Sequence, residues 1–271
     1  MTAAVLINGI SPTDPLQAIG VEDRGLHYGD GVFESALLVR GRVRFIEQHL
    51  RRLALGCERL GIAAPDAAAL RADVQRLSGS SERAVIKIVV SRGIGPRSYR
   101  PSSRSKTTRI VALYPAPQQL AGPRLALRWC ETRLGRNARL AGIKHLNRLE
   151  QVLAQAEWED ESIIDGLMLD TEGELVSGTA SNVFLVRGGA LVTPDLRFSG
   201  VLGVMRAEVL RLAQELAIAV SEEPVWPRDL EAASEVFITN AVRGIRSVTE
   251  LGALRWTDSP IADRLRQALD F

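Results

Sequence analysis

The chain has 271 residues, 46% of them hydrophobic and 24% charged, which suits one large or two smaller folded domains and excludes intrinsic disorder. Its 34 basic and 32 acidic residues leave a net charge of only +2, spread along the chain, and 5% aromatic content offers few stacking platforms, so nucleic acid is not an expected partner. No apolar run approaches the ~20 residues of a spanning helix, the start "MTAAVLINGISPTDP" lacks a basic leader, and a cytoplasmic enzyme with no membrane partner is the expectation.

In chain order, "VLINGI" followed by "SPTDP" reads as a strand and a turn. "GVFESALLVRGRVRFI" alternates well enough for a hairpin turned at Arg40-Gly41. From Glu47, the residues Leu50, Leu53, Cys57 and Leu60 recur at helical spacing and Gly61 supplies a stop; a second helix carries Leu70, Val74 and Leu77. The β-branched runs "AVIKIVVSR" and "TRIVALY" read as strands, with the long basic loop "GIGPRSYRPSSRSK" between them, too long for a hairpin turn. "YPAPQQLAGP" has three prolines and a glycine and is the best linker candidate. The expected organisation is therefore an N-terminal α/β domain over 1–115, a linker over 116–122 and a larger C-terminal domain over 123–271 that carries Lys144.

Beyond the linker, a strand "RLALRWC" and a helix from about Leu146 to Trp158 are expected. The strands "GLMLD", "ELVS", "NVFLVR" and "ALVTP" follow, then a helix near 203–217 and a strand "EVFITN", completing a second α/β domain. The histidines His27, His49 and His145 are scattered, and Cys57 and Cys130 are far apart, which predicts neither metal chemistry nor a disulfide.

Lys144, in "LAGIKHLNRLEQ", is either a solvated surface lysine or a nucleophile. Ala141, Gly142 and Ile143 precede it, and a stripe of Leu146, Leu149, Leu153 and Ala156 follows. An amine set in such a run is expected to be partly desolvated, which lowers its pKa and exposes the neutral form that makes Schiff bases.

The segment "LGRNARLAGIKHLNRLEQ" resembles the lysine region of 4-amino-4-deoxychorismate lyases, within the fold type IV pyridoxal-phosphate (PLP) enzymes that also include branched-chain and D-amino-acid aminotransferases. "DRGLHYGDGVFES", "HLRRL", "SRGIGPRSY", "SGTASNVFLV", "GVLGVMR" and "FITNA" occur in that family's order, so the resemblance spans nearly the whole chain. It implies a two-domain α/β fold and PLP held by Lys144. It also implies a homodimer and a functional relation to aminodeoxychorismate synthase, with 4-amino-4-deoxychorismate cleaved to 4-aminobenzoate and pyruvate for folate synthesis.

The site residues follow from the same resemblance. Arg52 of "H-x-x-R-L" is the phosphate cation, with its neighbour Arg51 solvated; a surface salt bridge is the rival reading for Arg52. "GVLGVMR" reads as a glycine turn opening a helix, whose N–H groups suit a phosphate. Gly203, Val204 and Met205 then line the phosphate and Val201 packs on the pyridine ring. Thr239 and Asn240 form a second phosphate-contacting turn, or simply a hydrogen-bonded strand end.

Ser177 stands where the aminotransferases have the glutamate that pairs with the pyridinium nitrogen. A hydroxyl cannot keep that nitrogen protonated, so the ring is a weaker electron sink, which favours a lyase over a transaminase. Glu174, at an odd offset in a strand, points to the opposite face. Leu149 replaces a tyrosine of the branched-chain enzymes. The substrate's two carboxylates call for arginine: Arg97 is the choice over Arg92 and Arg100, with Tyr99 beside it, against the alternative of a solvated loop arginine. Tyr28 and Phe33 form an apolar wall or are core residues. The rivals are an aminotransferase of the same fold and a non-catalytic binding protein that retains it.

Overall fold

A computed structural model of the chain describes residues 4–14, 18–79, 81–102, 105–117 and 125–269. The chain divides into two units, Met1–Gln118 with Ile143–Asn147, and Gln119–Gly142 with Arg148–Phe271. The second half of the expected linker falls in 118–124, outside the described residues.

The first unit is a five-stranded sheet of β1 (Ala4–Ile7), β2 (Gly31–Val39), β3 (Arg42–Val43), β4 (Arg83–Ser91) and β5 (Thr108–Pro115). The strand order is β1-β5-β4-β2-β3 and every pairing is antiparallel. Arg40 and Gly41 take φ of 48° and 72°, the turn that matches the twist of the β2–β3 hairpin. Alternation sends Ala84, Ile86, Ile88 and Val90 of β4 to one face. There they meet Leu50, Leu53 and Cys57 of α2 (Ile46–Leu60) and Leu70 and Val74 of α3 (Ala67–Ser78). Gly61, at φ 63°, ends α2 as the sequence predicts. A five-residue helix, α1 (Arg24–Tyr28), was not legible in the apolar pattern; Asp23 caps it and Gly29 closes it.

The second unit contains a nine-stranded sheet. Its strands are β6 (Leu125–Trp129), β7 (Ile163–Leu169), β8 (Leu175–Gly178), β9 (Asn182–Arg187), β10 (Ala190–Pro194), β11 (Val220–Glu223), β12 (Glu235–Asn240), β13 (Gly244–Leu251) and β14 (Leu254–Arg255). The order is β11-β10-β9-β12-β13-β6-β7-β8, with β14 beside β13. The helices are α4 (Leu149–Gln155), α5 (Val204–Glu215), α6 (Pro227–Glu231) and α7 (Pro260–Ala268). Leu127, Leu167, Val183, Leu185, Val236 and Val248 fill one face of the sheet. Phe184 and Phe237, paired across β9 and β12, stack with ring centroids 5.0 Å apart.

Three expectations are corrected. The helix after the lysine begins at Leu149 rather than Leu146, because residues 144–146 are extended along β2: the Phe33 N–H donates to the Lys144 carbonyl at 2.9 Å and the Leu146 N–H to the Gly31 carbonyl at 2.9 Å. The same bonds group Ile143–Asn147 with the first unit, whereas the sequence reading put Lys144 in the C-terminal domain. Lastly, Leu149 and Leu153 are exposed, so this stripe does not desolvate the lysine.

Phe237 is fully buried. Replacing it with alanine is expected to cost about 3–5 kcal/mol of stability, read as a lower urea midpoint; a loss below about 1 kcal/mol would mean that the stacked pair does not anchor the sheet.

Candidate active site

Lys144 is half-buried, and its Nζ lies 4.2 Å from the centroid of the Phe33 ring. The geometry has a local cause. Val32 bridges His145, and Lys144 and Leu146 bond to β2 on either side, so the backbone that carries the lysine is an added strand segment whose register is set by β2. Gly29, at φ 60°, leaves room for Asn147, whose side-chain amide donates to the Gly29 carbonyl at 3.3 Å. Ile143 is fully buried. The apolar surface beside the amine is therefore the Phe33 ring rather than the helix that follows.

Phe33 projects from the same strand as Glu34, a carboxylate only 1% exposed. Arg52 grips it with two bonds, Nε at 2.7 Å and Nη2 at 2.5 Å, and His49 Nδ1 lies 2.6 Å from its Oε2. Burial pushes the Glu34 carboxyl up, but the hydrogen bonds from His49 and Arg52 and the charge of Arg52 outweigh it and hold the group below its ordinary range. Arg52 thus makes an ion pair, but a buried one fixed in direction rather than the surface pair named as its rival reading. Glu34 and His49 were missed in the sequence, although both stand inside the quoted motifs "GVFES" and "HLRRL".

The loop after β4 rests on α1. Arg24, also missed, is buried. Its Nε donates to Asp30 at 2.8 Å, Nη1 to the Ser98 carbonyl at 2.6 Å, and Nη2 to the Tyr99 carbonyl at 3.2 Å. Arg92 donates to Asp30 and to the carbonyls of Leu60 and Gly61 at the end of α2, so its guanidinium serves as a structural clasp. Burial raises the Asp30 carboxyl, and the hydrogen bonds and charges of Arg92 and Arg24 lower it further than that. Arg97, Tyr99 and Arg100 are exposed. The Tyr99 ring lies 5.5 Å from that of half-buried Tyr28.

In the second unit the predicted turn residues do come together. Gly203 caps α5 without a side-chain bond, and the first intrahelical bond runs from the Ala207 N–H to the Gly203 carbonyl, so the N–H groups of Val204 and Met205 have no acceptor inside the helix. Asn182 ties this turn to the sheet: its amide donates to the Val201 carbonyl at 2.9 Å, and its Oδ1 lies 2.0 Å from where a Cβ on Gly203 would be. Asn182 pairs in register with Thr239, whose Oγ1 is buried and has no hydrogen-bond partner among the described residues. The segment before the lysine joins the same turn, Gly142 donating to the Gly200 carbonyl and accepting from the Leu202 N–H, each at 3.0 Å.

A helix start with open amides beside an orphaned hydroxyl fits an anionic group such as a phosphate. Thr239 and Asn240 also line a cavity of about 290 Å³ with Gln155, Asp165, Arg243 and Arg246. Burial, and then the charges of Arg243 and Arg266, hold the Arg246 guanidinium below its ordinary value.

Ser177 is buried and its hydroxyl donates to the Gly178 carbonyl at 2.8 Å. Glu174 precedes β8 rather than lying in it, and its carboxylate is 3.6 Å from Arg136. The strand-alternation argument therefore does not apply, but Glu174 faces its own cation. Asp165, missed in the sequence, is buried and occupied by Gly166 N at 2.9 Å, Thr179 N at 3.0 Å, the Thr179 hydroxyl, and Ser181 Oγ at 2.7 Å.

The family model for class IV amino-transferases matches residues 31–251. An aminodeoxychorismate lyase of Vibrio harveyi is 33% identical over 91% of this chain and 91% of its own. A putative branched-chain-amino-acid aminotransferase of Methanocaldococcus jannaschii is also 33% identical, over 91% of this chain and 87% of its own. Among solved structures, the 4-amino-4-deoxychorismate lyase of Pseudomonas aeruginosa superposes with a TM-score of 0.91 at 40% identity, covering 98% of this chain and 97% of that one.

Since the folded Glu34 carboxyl lies below the ordinary glutamate value of about 4.5, its ion pair contributes fully above that pH and is lost as pH falls through the lower folded value. Glu34→Gln is expected to cost about 3–5 kcal/mol at pH 7 by removing the buried negative charge that Arg52 and His49 bond to. In urea titrations the gap from wild type should narrow below pH 4.5; a gap independent of pH would contradict the assignment.

Proposed function

The chain belongs to the class IV aminotransferase family and is a pyridoxal-phosphate enzyme, and from that premise we propose that it cleaves 4-amino-4-deoxychorismate to 4-aminobenzoate and pyruvate. Two lyases among its relatives support this reading, one of them 40% identical over nearly the full chain. What carries the choice of lyase is Ser177, a buried hydroxyl at the position where the resemblance puts the acid of the fold's aminotransferases.

When bound, pyridoxal phosphate supplies an electron sink for the substrate's amine-bearing carbon. Lys144 would hold it covalently. Val204 and Met205 would meet its phosphate with backbone N–H groups, Thr239 with the hydroxyl that has no partner among the described residues, and Arg52 with the guanidinium that Glu34 orients. Gly203 and Asn240 shape the two turns, and Val201 would pack on the ring. Without a carboxylate at Ser177 the sink is weaker, which disfavours the long-lived carbanion of transamination and suits a reaction whose leaving group departs at once.

Lys144 then moves the proton. Its Nζ takes it from the ring carbon that bears the amine and gives one to the methylene carbon of the departing enolpyruvyl group, base first and acid second. The Phe33 face under the amine keeps water from that side, and Tyr28 continues the apolar wall. Arg97, with Tyr99, would bind substrate carboxylate from an exposed loop. A second copy of the chain is part of this reading. On α4, Leu149, Val152 and Leu153 are 75%, 60% and 61% exposed, an apolar face suited to burial in a homodimer.

An aminotransferase is the second reading, favoured by the Methanocaldococcus jannaschii relative at equal identity. The test supplies purified protein with chorismate, an ammonia source and an aminodeoxychorismate synthase and follows fluorescent 4-aminobenzoate. Product is expected, and Lys144→Ala should lower its rate by at least about 10³-fold; faster amino transfer to a keto acid than product release would overturn the lyase. Ser177→Glu is expected to raise the keto-acid reaction relative to cleavage, and an unchanged ratio would remove Ser177 from the argument.

A further inference from the structure

The best-anchored side chain outside the residues given a role above is Arg24. It is 3% exposed, and both terminal nitrogens of its guanidinium are directed at the loop that follows β4. Nη1 donates to the carbonyls of Pro96 at 3.4 Å and Ser98 at 2.6 Å, and Nη2 to that of Tyr99 at 3.2 Å. Nε is held by Asp30, which Arg92 grips from the other side. The Arg24 backbone N–H donates to the Gly93 carbonyl at 2.9 Å, and Asp23 bridges Ile94. Gly95 lies so close that a Cβ there would sit 2.8 Å from Arg24 Cδ. The guanidinium also lies 4.7 Å from the centroid of the Tyr28 ring, which has the rings of Tyr99 and His27 as neighbours.

We infer that Arg24 is the positioning residue of the substrate-binding loop: by fixing the carbonyls of residues 96, 98 and 99 it sets where Arg97 and Tyr99 stand. The inference rests on the reading of Arg97 and Tyr99 as carboxylate binders. A planar fork is what the task needs, because donors from one rigid group reach three carbonyls of a turn at once. Arg97 and Tyr99 make none of these bonds with their side chains, so their outward reach is left for a ligand. Orientation otherwise costs conformational entropy on binding, and a loop already held avoids that cost. Lysine keeps the charge but lacks the fork.

Arg24→Lys is the test, read in the pyridoxal-phosphate-loaded enzyme. It is expected to raise KM for the substrate on the order of tenfold with a smaller fall in kcat, and to speed amide exchange across residues 95–100. Gly95→Ala, which pushes on Arg24 from the loop side, should do the same and serves if Arg24→Lys folds poorly. In an Arg97→Ala background, Arg24→Lys should add little further to KM. Unchanged exchange overturns the inference, as does faster exchange with KM unmoved. The two failures separate: if Arg97→Ala itself leaves KM untouched, the substrate reading of Arg97 falls, whereas if Arg97→Ala raises KM and Arg24→Lys does not, the positioning role falls.

Discussion

Two backbone hydrogen bonds, from Phe33 to Lys144 and from Leu146 to Gly31, set everything that the lysine can do. They make residues 144–146 an extension of the first sheet, and strand geometry then dictates which side chains share a face. A shift of one residue along β2 would turn the amine to the other side. The register is held by the full antiparallel pairing of β2 with β4, which runs from Gly31–Ser91 to Val39–Arg83, and by Val32, which is buried in the core beneath α2. A lysine paired to a long strand is better fixed than one on a free loop, because its position is inherited from the strand's many bonds rather than from a few.

The same unit handles its charge in a characteristic way. Glu34 and Asp30 are each embraced by two nitrogen-bearing partners, His49 with Arg52 and Arg24 with Arg92. Such pairs contribute little net stability, since desolvation offsets most of the attraction, but removing one member leaves a buried charge uncompensated. Their value is geometric. A bidentate arginine cannot rotate without losing two bonds, so Arg52 and Arg24 are fixed in direction before any ligand arrives.

Much of this was legible in the sequence where a local rule governs. The Arg40-Gly41 hairpin, α2 with its Gly61 stop, the alternation of β4, and the glycine turn before α5 all follow from residue chemistry that acts within a few positions. β13, in "GIRSVTEL", and α7 were not read, because their order in the sheet and their packing are settled by distant partners. The helix after the lysine was placed three residues early for the same reason: the pattern Leu146, Leu149, Leu153 is helical, but tertiary pairing with β2 claims Leu146, and the remaining leucines face outward. Arg24, Glu34 and Asp165 stand in or beside motifs that were quoted, and they went unremarked because a buried charge looks like a surface charge until its partner is known.

The end of β8 shows why composition near a site is a poor guide to its chemistry. The acids Glu174 and Asp165 both stand near that strand, so a carboxylate for a basic nitrogen seems at hand by composition alone. The geometry removes both. Glu174 faces Arg136, which it shares with Asp170, and the oxygens of Asp165 are engaged by Gly166, Thr179 and Ser181 in fixing the turn from 178 to 181. A carboxylate that already accepts several hydrogen bonds is held where it stands, and reorienting it would strand those donors. On the proposed reading of Ser177, neither acid is then free to stand in for it. That is the physical ground for preferring a chemistry whose leaving group departs at once over one that must store a carbanion.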